Sequence, residues 1–403
     1  MKKIFSTTDI LIPADELLPK WSVIACDQFS SEREYWERIK NDIADNPSSL
    51  NLIVPETYLE EIDEDVEIKK INTTMQSYID KGIFVDITDS FIYIERTQPD
   101  GRVRKGIIGA VDLDEYDYTG KSSAIRASEG TVLDRLPARV KIRKAAPLEL
   151  PHIITFIDDK KDTVIGQIAK KVDSFPLLYD FPLMEGGGFI KGWQVTGKDA
   201  ENVINALDLL YKDGLLMIMG DGNHSLAAAK VYWEEIKQGL NEEERVNHPA
   251  RKALVELNNV YDPAVDFEAI HRVLFDVDAD AFVNGFIEAM PKGNDYKIKW
   301  ITKNDEGEIN IKAECIGDLY ELMQDFVDEY VKANGGIIDY IHGEDTTEKL
   351  AKREHTVGLI LPSMCKSDFF ETVAKRGVFP RKSFSVGHAK DKRYYLECRR
   401  IDI

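Results

Sequence analysis

The run Met217-Ile-Met-Gly-Asp-Gly-Asn-His-Ser225 brings an acid, an amide, an imidazole and a hydroxyl together within a few positions, directly behind an apolar stretch. Leu215–Met219 is uninterrupted and apolar, which reads as a buried strand. The alanine-rich segment from Asn223 to Lys237 reads as a helix that begins at once. A helix start carries N–H groups without intrahelical partners and the positive end of the helix dipole. Gly220 and Gly222 let a ligand approach that backbone closely. Asp221, Asn223, His224 and Ser225 then surround one point suited to an anion. The competing reading is plain helix capping by Asp221 or Asn223, with His224 merely packed.

Cys26-Asp27-Gln28 is a second constellation. Trp21–Asp27 reads as a strand running into a turn. Ser30 or Ser31 then caps a helix reaching about Asn46, with Glu34 completing a capping box. A carboxylate at such a strand end is placed to accept a proton, which makes Asp27 a candidate general base; Asp27 capping the turn is the alternative. Cys26 beside it is a candidate nucleophile. The four cysteines include no CxxC pair, so reduced thiols are expected rather than a zinc site. HExxH, GxSxG and GxxxxGK[ST] are all missing, which removes zincin, serine-hydrolase and P-loop chemistry.

Charge narrows the ligand. The 403-residue chain carries 52 basic and 72 acidic side chains, a formal charge of −20, which disfavours a long polyanion such as nucleic acid. Two stretches run against the sum. Arg126–Lys144 holds six basic residues against two acidic, and Pro380–Arg400 seven against two. Both are expected to converge on the Asp221 site and focus positive potential there for a small anionic ligand; solvated strand faces are the alternative. No apolar run approaches the roughly 18–20 residues of a membrane span, and the first residues lack a signal-peptide core. A cytoplasmic protein that leaves membranes alone is expected, with the oligomeric state open.

The elements that must position these groups alternate between strands and helices. Phe91–Arg96 and Val103–Asp112 form a hairpin across Gln98-Pro-Asp-Gly101, and Tyr296–Ile301 with Ile309–Ala313 a second across 304–307. Helices are expected over Val66–Lys81, Asp199–Tyr211, 277–290, Leu319–Lys332 and Ser367–Arg376, and strands over Asn51–Val54, Ile153–Ile157, Ala253–Val260, His271–Phe275 and Arg393–Arg399. This mixture argues for an α+β fold of mixed sheets with interleaved helices rather than a doubly wound parallel sheet.

Asp221-Gly222-Asn223-His224-Ser225 resembles the Asp-Gly-X-His-Arg box of the ParB/sulfiredoxin-like superfamily. Together with Ala25–Gln28, Glu129–Arg135, Ala146–His152, Gly186–Gly192, Ile270-His-Arg272 and Pro380–Phe384, it resembles one bacterial family, domain of unknown function 1015, over essentially the whole chain. The resemblance implies a ParB/sulfiredoxin-like core over 1–275 with a long insertion at about 47–200, followed by an α+β accessory domain over 276–403. It also implies a nucleotide-binding protein, a phosphotransferase acting on a small metabolite as in free-serine kinases. ATP or another nucleoside triphosphate with magnesium is the implied cofactor. His224 and the backbone of Gly220, Gly222 and Asn223 would hold phosphate with Ser225, and Asp221 would bind magnesium or orient a ligand. Ser225 departs from the box, where the kinases have Arg; Arg126, Arg135 or Arg139 would restore the charge. The alternatives are a ParB-like regulator without enzymatic activity and a metal-dependent hydrolase using Asp221 and His224.

Overall fold

A computed structural model describes residues 3–26, 29, 32–58, 61–119, 122–131, 133 and 136–402. The expected caps Ser30 and Ser31, the candidate base Asp27 and the candidate phosphate ligand Arg135 lie outside these residues. The chain forms two compact units. Unit 1 comprises Met1–Ala127, Thr131–Val265 and His388–Ile403; unit 2 comprises Ser128–Gly130 and Asp266–Gly387.

Unit 1 is built on an eleven-stranded mixed sheet. Its central strands are β1 (Phe84–Thr97), β2 (Val103–Asp112), β3 (Ile125–Arg126), β4 (Ile154–Ile157), β5 (Met217–Asp221) and β6 (Lys252–Asn259). They lie in the order β3-β5-β4-β6-β2-β1. The pairs β3/β5 and β4/β6 are parallel, while β5/β4, β6/β2 and β2/β1 are antiparallel. Mixed pairing with helices between strands is the α+β arrangement expected. The first hairpin forms as expected, with Thr97 opposite Val103 and Gly101 in the left-handed region at φ 88°. Helix α1 (Leu136–Lys144) packs Leu136 and Val140 onto Ala227 and Ala228 of helix α2 (Asn223–Ile236). Small alanines allow that close approach.

Some local expectations are corrected. Trp21 ends a short helix, Leu18–Trp21, with Pro19 in its first turn, and Ile24 makes only a single bridge, to Tyr394. Proline fixes φ near the helical value, which favours the turn over the strand. Asn51 lies in a 3-10 turn, Ser49–Leu52, capped by the Ser48 side chain. The final strand is reduced to Arg399–Arg400, paired with Leu148–Glu149.

Unit 2 holds a six-stranded sheet in which β7 (Phe267–Phe275) lies between β8 (Ile337–His342) and β9 (Val357–Ile360). The second expected hairpin is present, with Ile301 opposite Glu306. The boundary therefore falls before β7 and not at 275/276, because β7 pairs throughout with unit 2 strands. Nor is 276–403 one domain: the last segment returns to unit 1, where Arg399 binds Glu149 at 2.6 Å.

In unit 2, His271 and Arg272 of β7 are both buried. The His271 Nδ1 accepts the Leu361 N–H at 3.2 Å, which requires an unprotonated Nδ1. Burial, then the nearby Arg272 and His342, push its pKa down to about 4. The unfolded chain titrates near 6.5, so between these values it holds a proton the folded chain does not. Stability is thus lost as pH falls from about 6.5 towards 4, by about 2–3 kcal/mol at pH 4.5. Urea midpoints for unit 2 at pH 7 and pH 4.5 check this. His271→Gln should flatten the difference; an unchanged pH dependence in that variant would remove His271 from the account.

Candidate functional site at the start of helix α2

Strand β5 is held on both sides, by β3 and β4, and Met217, Ile218 and Met219 are fully buried. Its pairing with β4 shifts register between Met219 and Asp221, at Gly220. A Cβ at Gly220 would lie 2.3 Å from the Phe156 ring. Gly222 sits at φ 79° and ψ 26°, and a Cβ there would lie 3.1 Å from Ile153. The fold itself therefore accounts for both glycines: one admits a ring and the other makes a left-handed turn into the helix.

Helix α2 starts at Asn223 with Gly222 as its N-cap and no side-chain capping bond. Asp221 turns elsewhere: its Oδ1 accepts the Gly222 N–H at 2.8 Å, and its Oδ2 lies 3.1 Å from Lys392 Nζ. Burial alone pushes the Asp221 carboxyl up, but Lys392, His152 and the Gly222 N–H outweigh it and hold it below the usual range. An ion-paired carboxylate of that kind is a weak proton acceptor. Gly220, Gly222, Asn223, His224 and Ser225 are all half-buried. His224 is thus not sealed in an apolar core.

Other parts of unit 1 are brought to the same place. Segments 23–26 and 393–395 are laced together, with Ala25 N–H donating to Arg393 O at 3.0 Å and Tyr395 N–H to Val23 O at 2.8 Å. The Tyr395 hydroxyl donates to Cys26 Sγ at 3.1 Å and accepts the Cys26 N–H at 3.3 Å. The His152 ring meets the Tyr395 ring edge-on at 5.3 Å. Arg393 donates to Pro151 O at 2.9 Å. Cys26, next in sequence to Asp27, is therefore linked through Tyr395 to His152, which acts electrostatically on Asp221.

The basic stretches behave otherwise than expected. Arg126 lies on β3 beside Ile218, buried, its Nε on Ser123 O at 3.1 Å. Arg139 faces Glu56 at 3.6 Å, Lys144 faces Glu235 at 2.7 Å, Arg143 faces Glu149 at 2.7 Å, and Lys141 pairs with Asp65. Arg393 is shared between Glu256 at 3.2 Å and Glu397 at 2.5 Å. Arg139, Lys141, Arg143, Lys144 and Arg393 are matched by carboxylates, so they do not focus an open positive field. Arg381 and Lys382 belong to unit 2. Lys392 is the member of the second stretch that reaches Asp221.

Magnesium does not fit Asp221 as the resemblance implied. Both oxygens are engaged within the fold, one by the Gly222 N–H and one by the Lys392 ammonium. A cavity of about 290 Å³ lies elsewhere, lined by residues including Lys3, Phe5, Asn205 and Asp208, and includes none of 220–225. Sequence reasoning missed Lys392, His152 and Tyr395 as site residues. Lys392 was visible only as one charge in a basic stretch, and His152 only as the end of Ala146–His152.

A model of the family described as "Protein of unknown function (DUF1015)" matches residues 7–376. No curated protein matches. Among solved structures, the chain is similar to SbnI with C-terminal truncation from Staphylococcus aureus, at 9% identity over 70% of this chain and 82% of that one, with a TM-score of 0.38. It is similar to a free serine kinase in complex with AMP, at 11% identity over 71% and 90%, with a TM-score of 0.39. A conserved hypothetical protein from Pyrococcus furiosus gives 11% identity over 71% and 93%, with a TM-score of 0.36. No helix among the described residues is long and apolar enough to cross a membrane.

Proposed function

We propose that this chain, which belongs to the DUF1015 family of proteins of unknown function, binds the phosphate end of a nucleotide at the start of α2 and transfers a phosphoryl group to a small metabolite. The observation that carries the reading is the meeting, at one helix start whose N-cap is a glycine, of Lys392, Asp221 and the half-buried His224. A helix start and an ammonium group both favour an anion. The motif resemblance selects phosphate among anions.

The chain's own residues would divide the work. Backbone N–H groups of the first turn and His224 hold the phosphates. Asp221, fixed and ionised, orients its neighbours rather than moving a proton. Asp27 takes the proton of the substrate hydroxyl as its oxygen bonds to the terminal phosphorus. The bond from that phosphorus to its bridging oxygen breaks, and the nucleoside diphosphate leaves with the electron pair. The metal-hydrolase alternative finds no donor set at Asp221 among the described residues.

His224→Ala removes a hydrogen bond to a charged group, worth about 1.5–3 kcal/mol, and should raise the Kd for ATP about tenfold or more. Calorimetric titration of wild type and variant checks this. Equal affinities would take His224 out of the site.

A further inference from the structure

We propose that Lys392, rather than a metal ion at Asp221, neutralises and holds the ligand's phosphate in this site, with Asp221 as the residue that positions it. The inference rests on the nucleotide reading above and names the group that serves it.

The argument starts from how differently the buried cations of unit 1 are used. Arg393 meets two carboxylates and a carbonyl, Arg104 meets Glu256 at 3.1 Å and Asp391 O at 2.8 Å, and Arg399 meets Glu149 and two carbonyls. Each is held by at least one carboxylate and one backbone carbonyl. Lys392 is 9% exposed, yet among the described residues its ammonium has one carboxylate within 4 Å, that of Asp221. An ammonium carries three donors, so the pair leaves it with capacity to spare. Taking a lysine this far out of water for a single ion pair is costly unless further partners complete its shell.

Its position is fixed by the backbone. Lys392 N–H donates to Ala389 O at 3.4 Å, Arg96 donates to Lys392 O at 3.4 Å, and the preceding residue is held by Arg104. Asp221 holds the other end of the side chain. That carboxylate sits one residue before the N-cap of α2, so the ammonium stands at the positive end of a 14-residue helix. Point charge and helix dipole act in the same sense on an incoming phosphate. A divalent ion at Asp221 would have to displace Lys392 and face its charge.

The test is calorimetric titration of ATP, and separately of inorganic pyrophosphate, into the full-length wild type, Lys392→Met and Lys392→Arg, each with magnesium chloride and with EDTA. Thermal melts establish that each variant is folded. Wild type should bind ATP in EDTA within a few-fold of its affinity in magnesium. Lys392→Met should lose at least tenfold on both ligands. Lys392→Arg keeps the charge and should recover part of the loss, which also guards against a misfolded Met variant. Lys392→Met binding within twofold of wild type, or wild-type binding abolished by EDTA, would overturn the inference while leaving the nucleotide reading in place. Binding of pyrophosphate through Lys392 with no binding of ATP would do the reverse. Failure of both ligands on wild type overturns both.

Discussion

Replacing Arg393 by methionine lowers the unfolding free energy by about 3–5 kcal/mol, the range for removing one partner from a buried ion network. Arg393 is 4% exposed; the Glu256 and Glu397 it holds are each 1% exposed. Glu256 keeps Arg104 at 3.1 Å, and Glu397 keeps the Tyr179 hydroxyl at 2.5 Å. Without Arg393, Glu256 still has Arg104, whereas Glu397 is left with the neutral Tyr179 hydroxyl. The loss is the cost of a stranded charge and not the worth of the original pair. Adding Glu397→Gln should therefore return part of the stability, since an amide needs no counter-charge. Urea denaturation of the two variants and wild type measures both effects. A loss below about 1 kcal/mol for Arg393→Met would mean that water enters the network and the ions are not desolvated.

Asp27→Asn should leave nucleotide affinity nearly unchanged and cut phosphoryl transfer by about 10²–10⁴-fold, the usual contribution of a general base. The argument has two parts. Asp221 is bound to Lys392 and Gly222 and held below the usual carboxylate range, so it is poorly suited to accept a proton. The neighbour of Asp27 in the chain, Cys26, is tied to Tyr395, whose ring meets His152, the residue that acts on Asp221. The base is thus sought in the Cys26-Asp27 segment. Asparagine has nearly the same shape and cannot take the proton, so the loss should appear in kcat and not in Kd. Full turnover in Asp27→Asn removes this residue from the mechanism.

Much of the frame around the site was legible in the sequence. An apolar run stopping at Gly-Asp-Gly gives strand β5 and helix α2, because the strand has neighbours on both sides and the alanines accept helix α1. Pro-Asp-Gly gives the β1/β2 hairpin because Gly101 supplies the positive φ. What failed depended on distant partners. Bare glycines look alike whether a ligand or a ring fills the space, and at Gly220 it is Phe156. Basic stretches counted along the chain do not show that Glu56, Glu149, Glu235 and Glu256 arrive to meet them. Lys392 and Asp221 are far apart in sequence, and no local pattern pairs them. The C-terminal segment returns to unit 1, where Tyr394, Leu396, Cys398 and Ile401 join the core and Arg399 binds Glu149, and no local pattern announces partners so far away in sequence.

The central claim is that the start of α2 holds the phosphates of a nucleotide. Its most direct measurement is a calorimetric titration of ATP, CTP and GTP into wild type and His224→Ala under identical conditions. Saturable binding of at least one nucleotide to wild type, weakened about tenfold or more by His224→Ala in a variant that melts as wild type does, is the predicted result. No binding of any of the three to the folded wild-type protein would contradict it.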